Sequence, residues 1–244
     1  YQMKGDSALG GYSAMVKITE MFTIIPGAFM ATVFPLFSRY FIRPGHMLQK
    51  AYTLSFKYMS AIILPIVVGM SFFAEPVVRL VYGPQYVPAA STLQILMWSE
   101  IFVFVGIVHL NLLISVGLQK IDFLFTSTGA ILNVALNLYL IPRYGIQGAA
   151  LATVISYGVG LPMSCSFPQT RAYGFTMLRS LFKPLVAAVG MGACMYVLAS
   201  LRVPSLAIGV VAVCTYALFM YLMKGLDKED IGYFRYVVTA QRHA

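Results

Sequence analysis

Apolar residues dominate seven stretches of the chain, and short polar breaks rich in Pro and Gly separate them. The stretches run over 12–38, 51–74, 91–115, 121–141, 148–167, 179–200 and 205–224. Each holds about the 20 residues that a helix needs to cross the hydrocarbon of a bilayer. None alternates apolar and polar positions as a barrel strand would, and an isolated strand leaves its backbone unpaired in lipid. The pattern therefore predicts an all-α, polytopic membrane helix bundle with seven transmembrane helices. The first stretch is longer than a straight crossing requires and contains Pro26 and Pro35, which predicts a kink or an early stop.

The breaks read as connections. Positions 39–49 form a polar loop, and 75–90, with Pro76, Pro84 and Pro88, is too rich in proline for a crossing and reads as a surface segment. Gly117-Leu118-Gln119-Lys120 and Pro142-Arg143-Tyr144-Gly145 read as tight turns, 168–177 as a longer loop and Arg202-Val203-Pro204 as a short one. Beyond Lys224 the chain turns polar, and Asp227 fits an N-cap for an amphipathic tail helix carrying Tyr233, Phe234 and Tyr236. The first residues carry no basic segment followed by a cleavage site, so no signal peptide is expected. An outward start with an odd number of crossings reads best as a fragment of a longer membrane protein.

Composition sharpens this picture. Hydrophobic residues make up 59% and charged residues only 10%, against roughly 25% charged in an ordinary soluble domain. That excludes a soluble enzyme, a nucleic-acid-binding domain and a disordered chain. The net charge of +9 instead fits basic cytoplasmic loops. Taking alternate connections, eleven basic residues fall on one side: Arg39, Arg43, Lys50, Lys120, Arg171, Arg179, Lys183, Lys224, Lys228, Arg235 and Arg242. Four fall on the other: Lys4, Arg79, Arg143 and Arg202. The split places the C-terminus in the cytoplasm. Cys165, Cys194 and Cys214 sit inside apolar runs with no CxxC spacing, so neither a metal site nor a disulfide is expected, and no cofactor motif occurs.

Ionisable groups at membrane depth cost about 2.5–3.5 kcal/mol each on insertion scales, so each calls for a reason. Lys17 and Glu20 share one face of the first stretch, together with Ser13 and Ile24. Two readings fit them: a self-paired ion pair near the outer interface, or a charged wall of a water-filled substrate cavity. Glu100, Phe104 and Asn111 form one stripe of the third stretch. Glu100 fits either a hydrogen bond to a neighbouring helix or a proton- or sodium-responsive role. His109 points to the other side of that helix and reads as a packed histidine. Asn133 and Asn137, four apart, fit either interhelical contacts or contacts to sugar hydroxyls. Lys57 reads as snorkelling to the cytoplasmic interface. No catalytic triad, phosphate-binding loop or carboxylate pair is present.

The order of landmarks carries a resemblance. Gly11-Tyr12-Ser13-Ala14 leads to Lys17, Glu20 and Pro26, then Phe34-Pro35-Leu36-Phe37-Ser38-Arg39. Leu64-Pro65-Ile66, Tyr82-Gly83-Pro84-Gln85-Tyr86 and Gly117-Leu118-Gln119-Lys120 follow. Asn133 and Asn137 precede Leu140-Ile141-Pro142-Arg143-Tyr144-Gly145-Ile146-Gln147-Gly148. This resembles the C-terminal half of the polysaccharide flippases, the O-antigen and exopolysaccharide exporters of the multidrug/oligosaccharidyl-lipid/polysaccharide exporter superfamily. The resemblance implies two lobes around a central cavity, with 12 to 14 spans in all. In that scheme 1–167 is the C-terminal transporter lobe with five spans, 168–224 two additional helices and 225–244 a cytoplasmic tail. It further implies alternating access that moves undecaprenyl-linked glycans across the cytoplasmic membrane. The partners it implies are the lipid-linked oligosaccharide, membrane lipids, an N-terminal lobe of the same chain and glycan polymerase machinery. A multidrug exporter, a lipid II exporter or a membrane-embedded glycan polymerase or ligase are the alternatives. An enzyme of that kind needs catalytic residues in a large outer loop, and 75–90 offers only Glu75 and Arg79.

Overall fold

A computed structural model describes residues 2–42 and 46–225. Arg43 and the expected tail helix after Asp227 lie outside the described residues. Nine α-helices and two 3-10 turns follow one another among the described residues, with no strand. They are α1 (Gln2–Glu20), α2 (Ile24–Ile42), α3 (His46–Tyr82), α4 (Ala90–Met97), α5 (Ser99–Ser115), α6 (Gln119–Gly158), α7 (Gly160–Ser166), α8 (Arg171–Ser200) and α9 (Ser205–Leu222). This is the polytopic all-α bundle that the apolar runs predict.

Proline positions account for several breaks. The first run yields to a 3-10 turn at Met21–Thr23 between α1 and α2. Pro26 follows it, and a proline lacks the N–H owed to the carbonyl four residues back and crowds that carbonyl. Pro35, by contrast, is carried inside α2 without a break. In α3 the non-helical residue is Phe73, with φ −95° and ψ 16°, three positions before Pro76. The helix nevertheless resumes and runs to Tyr82, so 75–82 extends α3 instead of forming a surface loop. Only Pro84–Ala89 keeps the expected irregular character, as a 3-10 segment. Likewise α8 begins at Arg171, well before the expected start at 179.

Six segments are long and apolar enough to cross a membrane: Leu9–Phe41, Met47–Tyr82, Pro84–Ser115, Gln119–Ser166, Arg171–Ser200 and Ser205–Leu222. The fourth has 48 residues, more than twice the length of one crossing. It folds back on itself. Gly145 has φ 58° and ψ −135°, a turn conformation open essentially to glycine alone. A Cβ on Gly148 would strike the Leu140 carbonyl, and one on Gly129 would sit 3.1 Å from the Ser156 carbonyl oxygen. Pairs 140/148 and 129/156 share nearly one centre, as antiparallel arms must. Residues 119–144 and 146–166 are thus two apolar arms of one hairpin, which makes seven arms in the six segments.

The chain divides into two compact units between Ser180 and Leu181. In the first, α5 is the central helix and packs against α2, α3 and α6. Phe104, Val108, Leu112 and Leu113 of α5 are fully buried. Two buried hydroxyls of α3 are satisfied on that helix itself: Ser55 Oγ donates to the Ala51 carbonyl at 2.8 Å and Ser60 Oγ to the Phe56 carbonyl at 2.7 Å. This local pairing removes the cost of an orphaned donor where water is absent. α5 ends in a Schellman turn, with Gly117 at φ 77° and the Leu118 N–H bonded to the Leu113 carbonyl at 2.8 Å. The second unit holds the rest of α8 and α9, joined through Arg202 at φ 58°. There Gly190 lies close to the Phe219 ring, and Thr215 Oγ1 donates to Cys194 Sγ at 3.5 Å. All three cysteines are free.

Candidate functional site

Trp98 interrupts α4 and α5 by a single residue, so the two run almost as one rod. Ser99 caps the joint locally, its Oγ donating to the Leu96 carbonyl at 2.7 Å. Glu100 follows in the first turn of α5. It is only 4% exposed, and its Oε2 has no hydrogen-bond partner among the described residues. A buried carboxylate oxygen without a partner is costly, which makes Glu100 a candidate site residue.

That carboxylate lines a cavity of about 570 Å3. α1 contributes Tyr12 and Glu20, the α4–α5 joint contributes Ser99 and Glu100, and the second arm of α6 contributes Thr153 and Tyr157. The wall is closed on one side by Tyr12 Oη, 3.4 Å from Thr153 Oγ1. Thr153 in turn donates to the Ala149 carbonyl at 3.0 Å. Thr153 and Tyr157 are four apart and so share one face of their helical arm. Among the described residues no Lys or Arg lines the cavity. Two carboxylates that accept, with hydroxyls that donate and accept, match a ligand rich in hydroxyl groups.

The six candidates from the sequence fall in four places. Glu20 and Glu100 meet in this cavity. Lys17 lies on the exposed face of α1, outside the lining, and no Lys17–Glu20 ion pair occurs among the described residues. Asn111 spends its amide on its own helix, donating to the Ile107 carbonyl at 2.7 Å. Asn137 Nδ2 donates to Asn133 Oδ1 at 2.9 Å. Asn133 lines a second, more apolar cavity, and Asn137 Oδ1 is buried without a partner among the described residues. His109 is packed as expected. It shares a 2.8 Å hydrogen bond with Ser164 Oγ and lies flat against the Phe125 ring, with the centroids 6.2 Å apart. Tyr12, Ser99, Thr153 and Tyr157 were not singled out from the sequence as site residues. Nothing in the sequence marks Tyr12 or Ser99, and the i,i+4 spacing of Thr153 and Tyr157 marks only a shared helical face, not a cavity.

Known proteins share parts of this chain. A family model described as a polysaccharide biosynthesis protein matches residues 2–91. An uncharacterised membrane protein of Methanocaldococcus jannaschii is 30% identical over 144 residues, which is 58% of this chain and 28% of that protein. The probable low-salt glycan biosynthesis flippase Agl15 of Haloferax volcanii is 25% identical over 154 residues, 63% of this chain and 33% of its own length. The lipid II flippase MurJ of Bacillus subtilis is 26% identical over 156 residues, 62% of this chain and 27% of its own. The chain thus spans between 27% and 33% of the length of these relatives. No solved structure matches.

Proposed function

We propose that this chain, a relative of the polysaccharide flippases by sequence, forms one lobe of a carrier that moves lipid-linked oligosaccharide across the cytoplasmic membrane. The observation that supports this reading best is the polar cavity around Glu20 and Glu100, set among apolar helices. A glycan cannot cross hydrocarbon bare, since each buried unpaired polar group costs several kcal/mol, on the order of 2–7. The cavity replaces water around sugar hydroxyls, which donate to the Glu20 and Glu100 carboxylates and accept from Tyr157. Glu100, with one oxygen unpartnered, is also the group whose environment an entering proton or sodium ion would change most. Lys17, one turn away on the open face of α1, supplies the cation that the cavity lacks and faces the pyrophosphate end of the substrate. The polyprenyl tail stays in the bilayer. A second lobe in the longer protein closes the open face, and rocking of one lobe against the other exposes the cavity to each side in turn. The chemistry is transport; no covalent step is involved. In this reading an O-antigen or exopolysaccharide precursor is the cargo, and the glycan polymerase machinery takes it after transfer.

The test is export of lipid-linked glycan by the intact protein, normalised to the amount in the membrane. Glu20→Gln with Glu100→Gln lowers export at least about tenfold, because each charge-assisted hydrogen bond contributes about 1.5–3 kcal/mol. Unchanged export in the double variant overturns the assignment. Orientation is tested separately. In a protein without its native cysteines, a cysteine at Arg171 is shielded from impermeant thiol reagents in intact cells and one at Arg143 is labelled. The reverse pattern overturns a cytoplasmic C-terminus.

A further inference from the structure

A second cavity, of about 670 Å3, lies between α5 and both arms of α6. Its lining meets that of the polar cavity at Val103 and Tyr157, so the two follow one another along α5. Glu100 lines the first and Leu110 the second, ten residues or about 15 Å apart on that helix. The two walls of the second cavity differ. The first arm of α6 brings Asp122, Thr126 and Asn133, whose spacings of four and seven keep them on one helical face. α5 brings Phe102, Val105, Ile107 and Leu110. Gly106 belongs to that apolar wall, and nothing lies within 4 Å of where its Cβ would be. The hydrogen bonds already made show which polar groups stay open. Asn137 Nδ2 occupies Asn133 Oδ1, so the Asn133 amide keeps its N–H donors for the cavity. Thr126 is hydrogen-bonded to Asp122, whose carboxylate has room to accept more. His109 is engaged by Ser164 Oγ, and Ser156 Oγ donates to the Ala152 carbonyl.

We infer that this cavity seats a second sugar ring of the cargo proposed above, so that one glycan occupies both cavities and the lobe selects glycans of two or more units; the inference rests on that reading of the function. A sugar ring carries hydroxyls on its rim and C–H bonds on its faces. The rim matches the strip from Asp122 to Asn133, which both accepts and donates, and the faces match the apolar wall of α5. The volume lies within the roughly 300–1,000 Å3 of small-molecule sites, whose usual make-up is an apolar wall with a few placed polar groups. A lipid chain in the same space leaves the Asn133 donors and the Asp122 acceptor without partners, which costs free energy that a hydroxyl-bearing occupant saves. Tyr157 stands where the two linings meet, so the linkage between the two rings passes it. Asn133 is in this way a residue that reads the length of the cargo, and Glu20 and Glu100 read its first sugar.

The probes are the cell's own lipid-linked glycan in two forms: complete, and ending at its first sugar, collected from cells that lack the transferase adding the second. Binding of each is measured on the intact protein in phosphatidylcholine nanodiscs. The unaltered protein binds the complete form at least about tenfold more tightly, the gain expected from two or three further hydrogen bonds. Gly106→Leu fills the second cavity without a clash at its Cβ and brings the two forms to equal affinity, while an unchanged midpoint of thermal unfolding shows that the fold is kept. Asn133→Asp keeps the acceptor that Asn137 uses and removes the amide donors, and it lowers the preference about threefold to tenfold. If Gly106→Leu does not fold, Asn133→Asp decides. Glu20→Gln with Glu100→Gln weakens both forms and leaves the preference between them. Equal affinity of the two forms for the unaltered protein overturns the inference, and so does a preference that survives the cavity variants. Failure of the Glu20 and Glu100 variant to weaken either form counts instead against the function proposed above, so the two failures are told apart.

Discussion

α5 and the first arm of α6 are both long apolar helices, and their sequences give no hint that their surroundings differ. α5 is enclosed: Phe104 is 0% exposed and Glu100 only 4%. The first arm of α6 is bare, with Ile131 72% and Leu138 76% exposed. The contrast shows what hydropathy measures. It reports that a helix shuns water, and it does not distinguish a protein interior from lipid or from an absent neighbour. It also explains where the polar site forms. A carboxylate such as Glu100 persists only where other helices can wall a cavity around it, and α5 is enclosed by α2, α3 and α6 while α1 and α4 line the cavity beside it.

The largest expected effect tests that contrast directly. Phe104→Ala in α5 lowers stability by about 3–5 kcal/mol, the cost of a cavity left by a fully buried ring. Leu138→Ala on the bare arm changes it by less than about 0.5 kcal/mol, as surface changes do. Thermal unfolding of the detergent-solubilised protein reads both. A large loss from Leu138→Ala would break the comparison and show that a further part of the protein covers that arm.

Next come the glycines that fold α6 back on itself. Gly145→Ala forces a side chain into a glycine-only turn and costs about 1–3 kcal/mol. Gly148→Val costs a similar amount for a different reason, since its Cβ meets the Leu140 carbonyl. Gly27→Ala, in the interior of α2 with open space around it, instead raises stability by about 0.5–1 kcal/mol through helix propensity. If all three behaved alike, the hairpin reading of 119–166 would fail.

Much of this architecture is legible in the sequence because the bilayer imposes one answer on a long apolar run. The hairpin turn was legible at Pro142 to Gly145, and the break near Pro26 followed from the proline itself. The extension of α3 through Pro76 was not legible. A proline marks a lost hydrogen bond, but whether the helix stops or only kinks depends on the neighbours that hold the two halves in line. The site was half legible. Glu100 and Glu20 stand out because a charge in an apolar run is expensive. Tyr12 and Tyr157 do not stand out among 16 tyrosines, and only the fold tells which of them share a cavity.

The smallest expected effect concerns Lys17 and Glu20, which compare the open face of α1 with its buried one. Met15, Ile18 and Thr19 are buried, while Lys17 and Glu20 are exposed and form no ion pair among the described residues. Exposed charges one turn apart couple by about 0.2–0.5 kcal/mol at best. A double-mutant cycle of Lys17→Ala and Glu20→Ala in thermal stability therefore gives a coupling near zero. The same cycle read in export gives a different answer if the two residues serve the substrate. Lys17→Ala lowers export per folded molecule, Lys17→Arg keeps part of it because charge survives while the planar fork fits differently, and the double variant recovers nothing. Recovery of export and of protein level in the double variant would instead show that the pair stabilises α1 alone. The open face would then be scaffold, and the polar cavity would have to hold its substrate without a cation.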